Sequence, residues 1–349
     1  MTTTIPAAAP PAPRVLSLPA WSDPERYLAV LENPWFRLLV DLQDCVTAAT
    51  VEHWSRRGLR TLHLPVTTGA VSSPMGRGSD SLPVEVELFG VPTYLADSMQ
   101  FMLEYGCRLA DHGCYYVMPS FRGESADATH LCQFYHSEIE IPGGLDDAMD
   151  AADGYVTALA RAVLERGADG VRTYAGTTSH LESLAEGRTP IHRIAFDEAA
   201  RILDHDPACV RPGEGGWRTL TREGEARLLR RLGGFAWVTD WDHLAVPFYQ
   251  AFHPGDEGRA RNADLLFGPG EIIGCGERHT DAASVERALA LHEVPVEPYA
   301  WYRDLKARFP LRTAGFGMGV ERFLMWVLNH RDIRDLQILP RSNGSLDNP

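Results

Sequence analysis

Residues 315–322 read GFGMGVER, three glycines in alternation followed at once by Glu321 and Arg322. Alternation predicts a strand, and the apolar run after it predicts a helix. Arg322 therefore stands at a strand-to-helix junction, where glycine leaves room for a ligand against the backbone. A second cluster, PSFRGESADATHLCQFYHSEIEI at 119–141, sets Arg122 and Glu124 on one strand face, with His130 and Phe134 four apart beyond a polar loop. A third, DLLFGPGEIIGCGERH at 264–279, places Asp264 and Glu271 seven apart across a turn. That pair suits a divalent cation such as Mg²⁺. Arg278 lies seven beyond Glu271 on a stretch cleared by Gly274 and Gly276. Guanidinium groups, paired carboxylates and bare backbone together point to recognition of a charged, phosphate-bearing ligand.

These side chains need rigid elements to hold them. Residues 24–57 carry Tyr27, Val30, Leu31, Phe36, Leu39, Val40 and Val46 on helical spacing, ended by Gly58. Residues 59–64 alternate as a half-buried strand stopped by Pro65, and 84–89 alternate before the Gly90-Val91-Pro92 turn. Residues 94–109 return to helical spacing. Strands at 115–118 and 133–141 enclose the polar loop. Met149, Ala152, Val156, Leu159 and Val163 predict an amphipathic helix stopped at Gly167, and 196–203 and 221–231 predict two more. Residues 236–239, 246–250 and 264–273 read as strand material. Strands clustered at 59–64, 84–89, 115–141 and 236–319, separated by helices, predict an α+β fold on a mostly antiparallel sheet rather than a βαβ repeat.

The chain has 349 residues, 44% of them hydrophobic and 23% charged, enough for a substantial core. The formal charge of −14 argues against broad non-specific binding of nucleic acid, which needs Lys and Arg to neutralise phosphates. Six scattered cysteines without a CxxC pair predict a reduced, cytoplasmic protein. Cys107, His112 and Cys114 fit no standard zinc spacing and read as structural. No run is long enough to span a membrane, and the Ala/Pro/Thr-rich start is no signal peptide. Residues 1–20 and 342–349 read as tails, and 21–341 as one catalytic domain.

The segments together resemble the class II aminoacyl-tRNA synthetases. The helix, glycine, strand and Pro65 of the first region resemble motif 1, the dimer interface of that family. Phe-Arg-Gly-Glu, the loop, and His130 with Phe134 resemble motif 2; GFGMGVER and Ile333-Arg334-Asp335 resemble motif 3. Within the class, GEIIGCGER, WYRDLK at 301–306 and LADSMQFMLE at 95–104 are similar to asparaginyl-tRNA synthetases, and VTDWDHLAVPFYQ at 238–250 occupies the place of another of their motifs. The resemblance implies roles. Arg122 stabilises charge at the α-phosphate and the activated carboxylate, Glu124 and Phe134 hold adenine, and His130 faces the γ-phosphate. Arg322 stacks on adenine from the other side, Asp264 and Glu271 carry Mg²⁺ on ATP, and Ser98, Gln100, Glu138 and Arg278 line the amino-acid pocket. The implied reaction is attack of a carboxylate on ATP to give an acyl-adenylate and pyrophosphate, with no protein nucleophile.

The departures shape the expected substrate and partners. Leu103 and Glu138 replace the lysine and aspartate of aspartyl enzymes and look asparaginyl in type. Cys275 stands where a small glycine is expected, Gly276 where a serine is, and His243 and Val246 where lysines are usual. Only 57 residues precede Gly58, which leaves no room for the OB-fold that reads the anticodon in these enzymes. The expectation is therefore an AMP-forming ligase, dimeric through the motif 1 region, that activates aspartate, asparagine or an analogue. Ammonia or a small amine then accepts the acyl group, as in stand-alone asparagine synthetases, and tRNA is not an expected partner. A minimal tRNA ligase is the alternative within the class. A catalytically silent sensor of ATP or amino acid is the alternative outside it, and the full set of ATP residues argues against that.

Overall fold

A computed structural model describes residues 17–21, 23–72 and 81–341. The tails expected at 1–20 and 342–349 lie outside the described residues except for 17–20, where Leu18 packs on the main core and the Ser17 carbonyl accepts from Asn33 Nδ2 at 3.0 Å.

The chain opens with helices α1 (Arg26–Glu32) and α2 (Pro34–Arg56). Asn33 caps α2 by accepting from the Trp35 amide at 3.0 Å, and Pro34 sits in the first turn, where its missing N–H costs nothing. Gly58, at φ +81°, turns the chain into β1 (Arg60–Thr61). A side sheet of β2 (Thr67–Thr68), β3 (Val84–Leu88) and β4 (Val91–Leu95) follows, then α3 (Gln100–Gly106). The hairpin β5 (Cys114–Phe121) and β6 (Gln133–Pro142) leads into α4 (Leu145–Ala175) and α5 (Ser179–Ala185). Next come β7 (His192–Ala195), α6 (Phe196–Ile202), the small hairpin β8 (Val210–Pro212) and β9 (Arg218–Leu220), α7 (Arg222–Leu232) and β10 (Phe235–Thr239). Strands β11 (Phe252–His253), β12 (Asp256–Ala260), β13 (Asn262–Phe267) and β14 (Gly270–Glu277) precede α8 (Ala282–Leu291) and α9 (Ala300–Arg308). Last are β15 (Thr313–Gly319) and α10 (Val320–Val327).

Eight strands make the central sheet, in the order β1-β5-β6-β15-β14-β13-β10-β7. All neighbours are antiparallel except β1 with β5 and β7 with β10. The expected α+β fold on a largely antiparallel sheet is what forms.

Strand alternation decides which face does what. Phe316 and Met318 of β15, Ile273 and Cys275 of β14, Leu265 of β13 and Trp237 of β10 are buried in one core with α2 and α4. The residues between them, Gly315, Gly317, Gly319, Gly274 and Asp264, therefore face the other way. Register sets Gly319 opposite His136, Gly317 opposite both Glu138 and Gly274, and Gly274 opposite Asp264. The sheet thus has one apolar face under two long helices and one face whose centre is bare backbone ringed by ionisable groups.

Four expectations from the sequence need correction. The helix expected to stop at Gly167 runs on to Ala175 and ends at Gly176, whose φ of +76° is the left-handed stop. Gly167 and Gly170 lie inside it because α2 packs close there: a side-chain carbon at Gly170 would overlap Leu38. The helical reading of 94–109 holds only for α3, since Val91–Leu95 pairs with β3 as a strand. The strand reading of 246–250 fails: this stretch follows a 3₁₀ turn at His243–Ala245, and only Gln250 makes a bridge, to Arg278. The strand at 59–64 shrinks to Arg60–Thr61.

Candidate active site

Two cavities meet over the bare centre of the sheet. The first is lined by Arg122, Glu124, His130, Phe134, Glu271 and Arg322, among others. The second is lined by Ser98, Gln100, Glu138, Tyr249, Gln250 and Asp264, among others. Arg122, His136, Glu271 and Gly317 line both, so they mark the junction.

Arg122 leaves the end of β5, its amide donating to the Cys132 carbonyl at 2.8 Å. Its guanidinium lies 5.3 Å from the centre of the Phe134 ring, and its buried Nε has no hydrogen-bond partner among the described residues. A buried donor without a partner is costly, and an anionic ligand at the junction would relieve it. Glu124 accepts from the Leu82 amide at 3.1 Å. His130 sits in a loop pinned by Asp127, whose carboxylate accepts from the Thr129 and His130 amides at 2.7 and 2.8 Å. Its Nε2 is 2.7 Å from Arg222 Nη2 at the start of α7.

Arg322 lies in the first turn of α10, which follows β15 directly. Nη1 donates to the Glu271 carbonyl at 3.0 Å, and the two side chains are 3.9 Å apart. Its neighbour Glu321 has a different task. It is 2% exposed and accepts from the Tyr135 amide at 3.0 Å and from Gln337 Nε2 at 3.1 Å, so it ties the start of α10 to β6.

Asp264 and Glu271 converge on Gly274: a side-chain carbon there would stand 3.1 Å from Glu271 Oε1 and 3.9 Å from Asp264 Oδ1. Glu225, from the first turns of α7, joins them and accepts from the Glu271 amide at 3.3 Å. Burial and then the Glu271 and Glu225 charges push the Asp264 carboxyl well above its usual range. Burial and Glu271 raise Glu225 to about 7, against the pull of Arg322. Like charges held this close repel one another and would be relieved by a cation, but among the described residues no group of three or more His, Cys, Asp or Glu is placed to hold a metal ion.

In the second cavity Ser98 Oγ donates to Glu138 Oε2 at 2.8 Å and accepts from the Gln100 amide at 3.1 Å. Gln100 Nε2 donates to Glu140 at 3.1 Å. Arg278 lies behind the cavity wall. It is 1% exposed, with Nη2 3.1 Å from Glu140 and Nη1 donating to Gln250 Oε1 at 2.8 Å. Gln250 and Tyr249 form the surface in front of it. Gly276 explains this: a side chain there would fall inside the Gln250 amide. Deeper still, Glu104 of the 95–104 segment and Lys306 of the 301–306 segment form a fully buried ion pair, and Tyr302 Oη donates to Glu104 at 2.8 Å. Those two sequence segments thus meet as one internal brace. His243 is also turned inward, with Nδ1 2.9 Å from His292.

Sequence reasoning missed Arg222, Glu225 and His136. The signal for Arg222 and Glu225 was available, since Thr221 is a natural helix cap and both lie in the turns it starts. The signal for His136 was its spacing of two from Phe134 and Glu138 on one strand face.

Comparison with known proteins accords with this geometry. The profile of the class II tRNA synthetases (D, K and N) matches residues 23–343. The chain belongs to that family. It is accordingly a ligase of the aminoacyl-tRNA synthetase type, a class that works on ATP. The asparagine–tRNA ligase of Roseiflexus castenholzii is 33% identical over 312 residues, which are 87% of this chain and 68% of that protein. That of Sorangium cellulosum is 28% identical over 87% of this chain and 69% of its own length. Among solved structures, asparaginyl-tRNA synthetase from Pyrococcus horikoshii, complexed with asparaginyl-adenylate, shares the fold with a TM-score of 0.83 at 24% identity, over 93% of this chain and 73% of that one. Aspartyl-tRNA synthetase from Entamoeba histolytica shares it with a TM-score of 0.76 at 17% identity, over 97% of this chain and 65% of that one. No helix among the described residues is long and apolar enough to cross a membrane.

Proposed function

We propose that residues 21–341 form one catalytic unit that uses ATP to adenylate the carboxylate of asparagine, aspartate or a close analogue. The observation that carries this reading is the junction of the two cavities at Arg122, His136, Glu271 and Gly317. A nucleotide in the first cavity and an amino acid in the second would meet there, with the α-phosphate beside Arg122.

Phe134 and Arg322 flank the first cavity and suit an adenine between them, with Glu124 accepting from its amino group. His130 and Arg222 suit the distal phosphates. Ser98, Gln100 and Glu138 suit the amino acid, and Arg278 supports them from behind through Gln250 and Glu140. Asp264 and Glu271 would hold Mg²⁺, which supplies charge neutralisation on the phosphates when bound. The carboxylate oxygen attacks the α-phosphorus, the bond to the β-phosphate oxygen breaks, and pyrophosphate leaves. Positioning and the Arg122 charge provide the acceleration.

Two acceptors fit the acyl-adenylate. The relatives are named asparagine–tRNA ligases, which favours a tRNA hydroxyl. The net charge of −14 favours a small amine or ammonia, giving asparagine synthetase-like amide formation. Exposed Leu31, Val40 and Val51 along α1 and α2 support pairing of two copies through the motif 1 face.

Arg322→Ala tests the nucleotide site. It should cut ATP–pyrophosphate exchange by about 100-fold while the circular dichroism spectrum stays native; undiminished exchange would overturn the assignment. Mass spectrometry of products formed with ammonium and with tRNA identifies the acceptor.

A further inference from the structure

We infer that His136, oriented by Glu138, is the general base that deprotonates an amine acceptor as it attacks the acyl-adenylate. The inference rests on the adenylation reading above and goes beyond it, because adenylation itself needs no base.

His136 and Glu138 share one face of β6, two residues apart, and the glycines of β15 lie opposite them. His136 Nδ1 stands 3.0 Å from Glu138 Oε1 and 2.8 Å from Ser120 Oγ. Glu138 is 3% exposed, and its second oxygen is held by Ser98 at 2.8 Å. Burial works to raise the Glu138 carboxyl, but His136, Tyr116 and Ser98 outweigh it and hold it below its usual value. An ionised carboxylate beside Nδ1 draws the ring proton to that nitrogen and leaves the lone pair on Nε2. Among the described residues Nε2 has no hydrogen-bond partner, and the ring lines both cavities. The Phe134 ring, 4.7 Å away and edge-on, fixes its tilt. The ionisable groups lining the two cavities with the imidazole include Arg122 and Glu124 after β5, His130 in the loop, Glu138 on its own strand, Glu271 from β14 and Glu321 and Arg322 from α10.

The chemistry decides between acceptors. An ammonium ion must lose one proton to expose its lone pair. Nitrogen then attacks the carbonyl carbon, the C–N bond forms, and a second proton leaves nitrogen as the bond to the phosphate oxygen breaks and AMP departs with that electron pair. A ribose hydroxyl loses only one proton, which the departing phosphate oxygen can accept. An imidazole with its lone pair at the junction, backed by a buried carboxylate, therefore suits an amine. His136 Nε2 takes one proton from the attacking nitrogen and releases it to solvent, and the departing phosphate oxygen accepts the other.

The test is a pulse-chase. The full chain is loaded with labelled asparagine or aspartate and ATP, then chased with ammonium chloride or with purified tRNA. In His136→Asn and His136→Gln, discharge of the preformed adenylate by ammonium should fall about 100-fold, well beyond any loss in pyrophosphate exchange. A native circular dichroism spectrum shows that the variants fold. Equal losses in exchange and transfer, or no loss in either, overturn the assignment of His136. A wild-type adenylate discharged by tRNA and not by ammonium overturns the amine acceptor. Absence of wild-type exchange with any carboxylate overturns the adenylation reading as well.

Discussion

At the residue scale the site is a contest between like charges that ligands would settle. Asp264, Glu271 and Glu225 crowd one corner, and Glu225 is raised from 4.5 to about 7 by burial and by Glu271. A raised carboxyl contributes stability that is complete below its unfolded value and is lost as pH rises through the folded one. Unliganded protein should therefore lose stability between pH 4.5 and about 7 through this group, and Glu225→Gln should remove that loss. At pH 8 the variant should be more stable than wild type by about 2 kcal/mol. Thermal melts across this range check it, and an unchanged pH slope would contradict it. Arg122, Glu124, His130, Phe134, Asp264, Glu271 and Arg322 were legible in the sequence because each belongs to a spaced pattern on a strand or beside a glycine. Arg278 reads from the sequence as a pocket-lining residue, whereas the structure places it behind the cavity wall. That depends on Gln250 filling the space beside Gly276, a contact across 26 residues that no local pattern encodes.

At the element scale the sheet works because its two faces obey different rules. On β15, Phe316 and Met318 are at most 1% exposed, whereas the alternate positions are glycine. The sequence showed this as GFGMG, since period-two patterning is local. Helix ends were less legible. Gly167 reads as a stop by composition, yet it and Gly170 serve the close approach of α2 to α4. Gly170→Leu should therefore destabilise the protein by about 2 kcal/mol through overpacking, despite the better helix propensity of leucine. Denaturant unfolding measures it; a stability gain would show that α4 prefers propensity to close packing. The 246–250 stretch was misread for a related reason: Phe248 and Tyr249 are apolar because they pack against Phe101, with ring centres 6.1 and 5.1 Å away, and not because they pair in a ladder.

At the scale of the whole molecule, stability and function draw on opposite faces of one sheet. The apolar face also carries an acid-sensitive element. His53, 8% exposed beneath α4, is lowered from 6.5 to about 4 by burial and by Arg57. A depressed histidine contributes stability that is present above 6.5 and lost as pH falls towards 4. His243 is lowered to about 4 and His279 to about 3, both chiefly by burial, and they act in the same sense. Wild-type stability should therefore fall across that window, and His53→Phe should remove about 2 kcal/mol of the fall; calorimetry at stepped pH checks it, and equal slopes would contradict it. Fold class and family were legible because several patterned segments occur in the right order. The acceptor was not, because the junction proposed for its attack is created only when the sheet folds. The most direct measurement of the central claim is amino-acid-dependent ATP–pyrophosphate exchange by the wild-type protein across a panel of carboxylates. The account predicts exchange with asparagine, aspartate or a close analogue, dependent on Mg²⁺ and lost in Arg122→Ala; ATP binding without exchange for any member of the panel would contradict it.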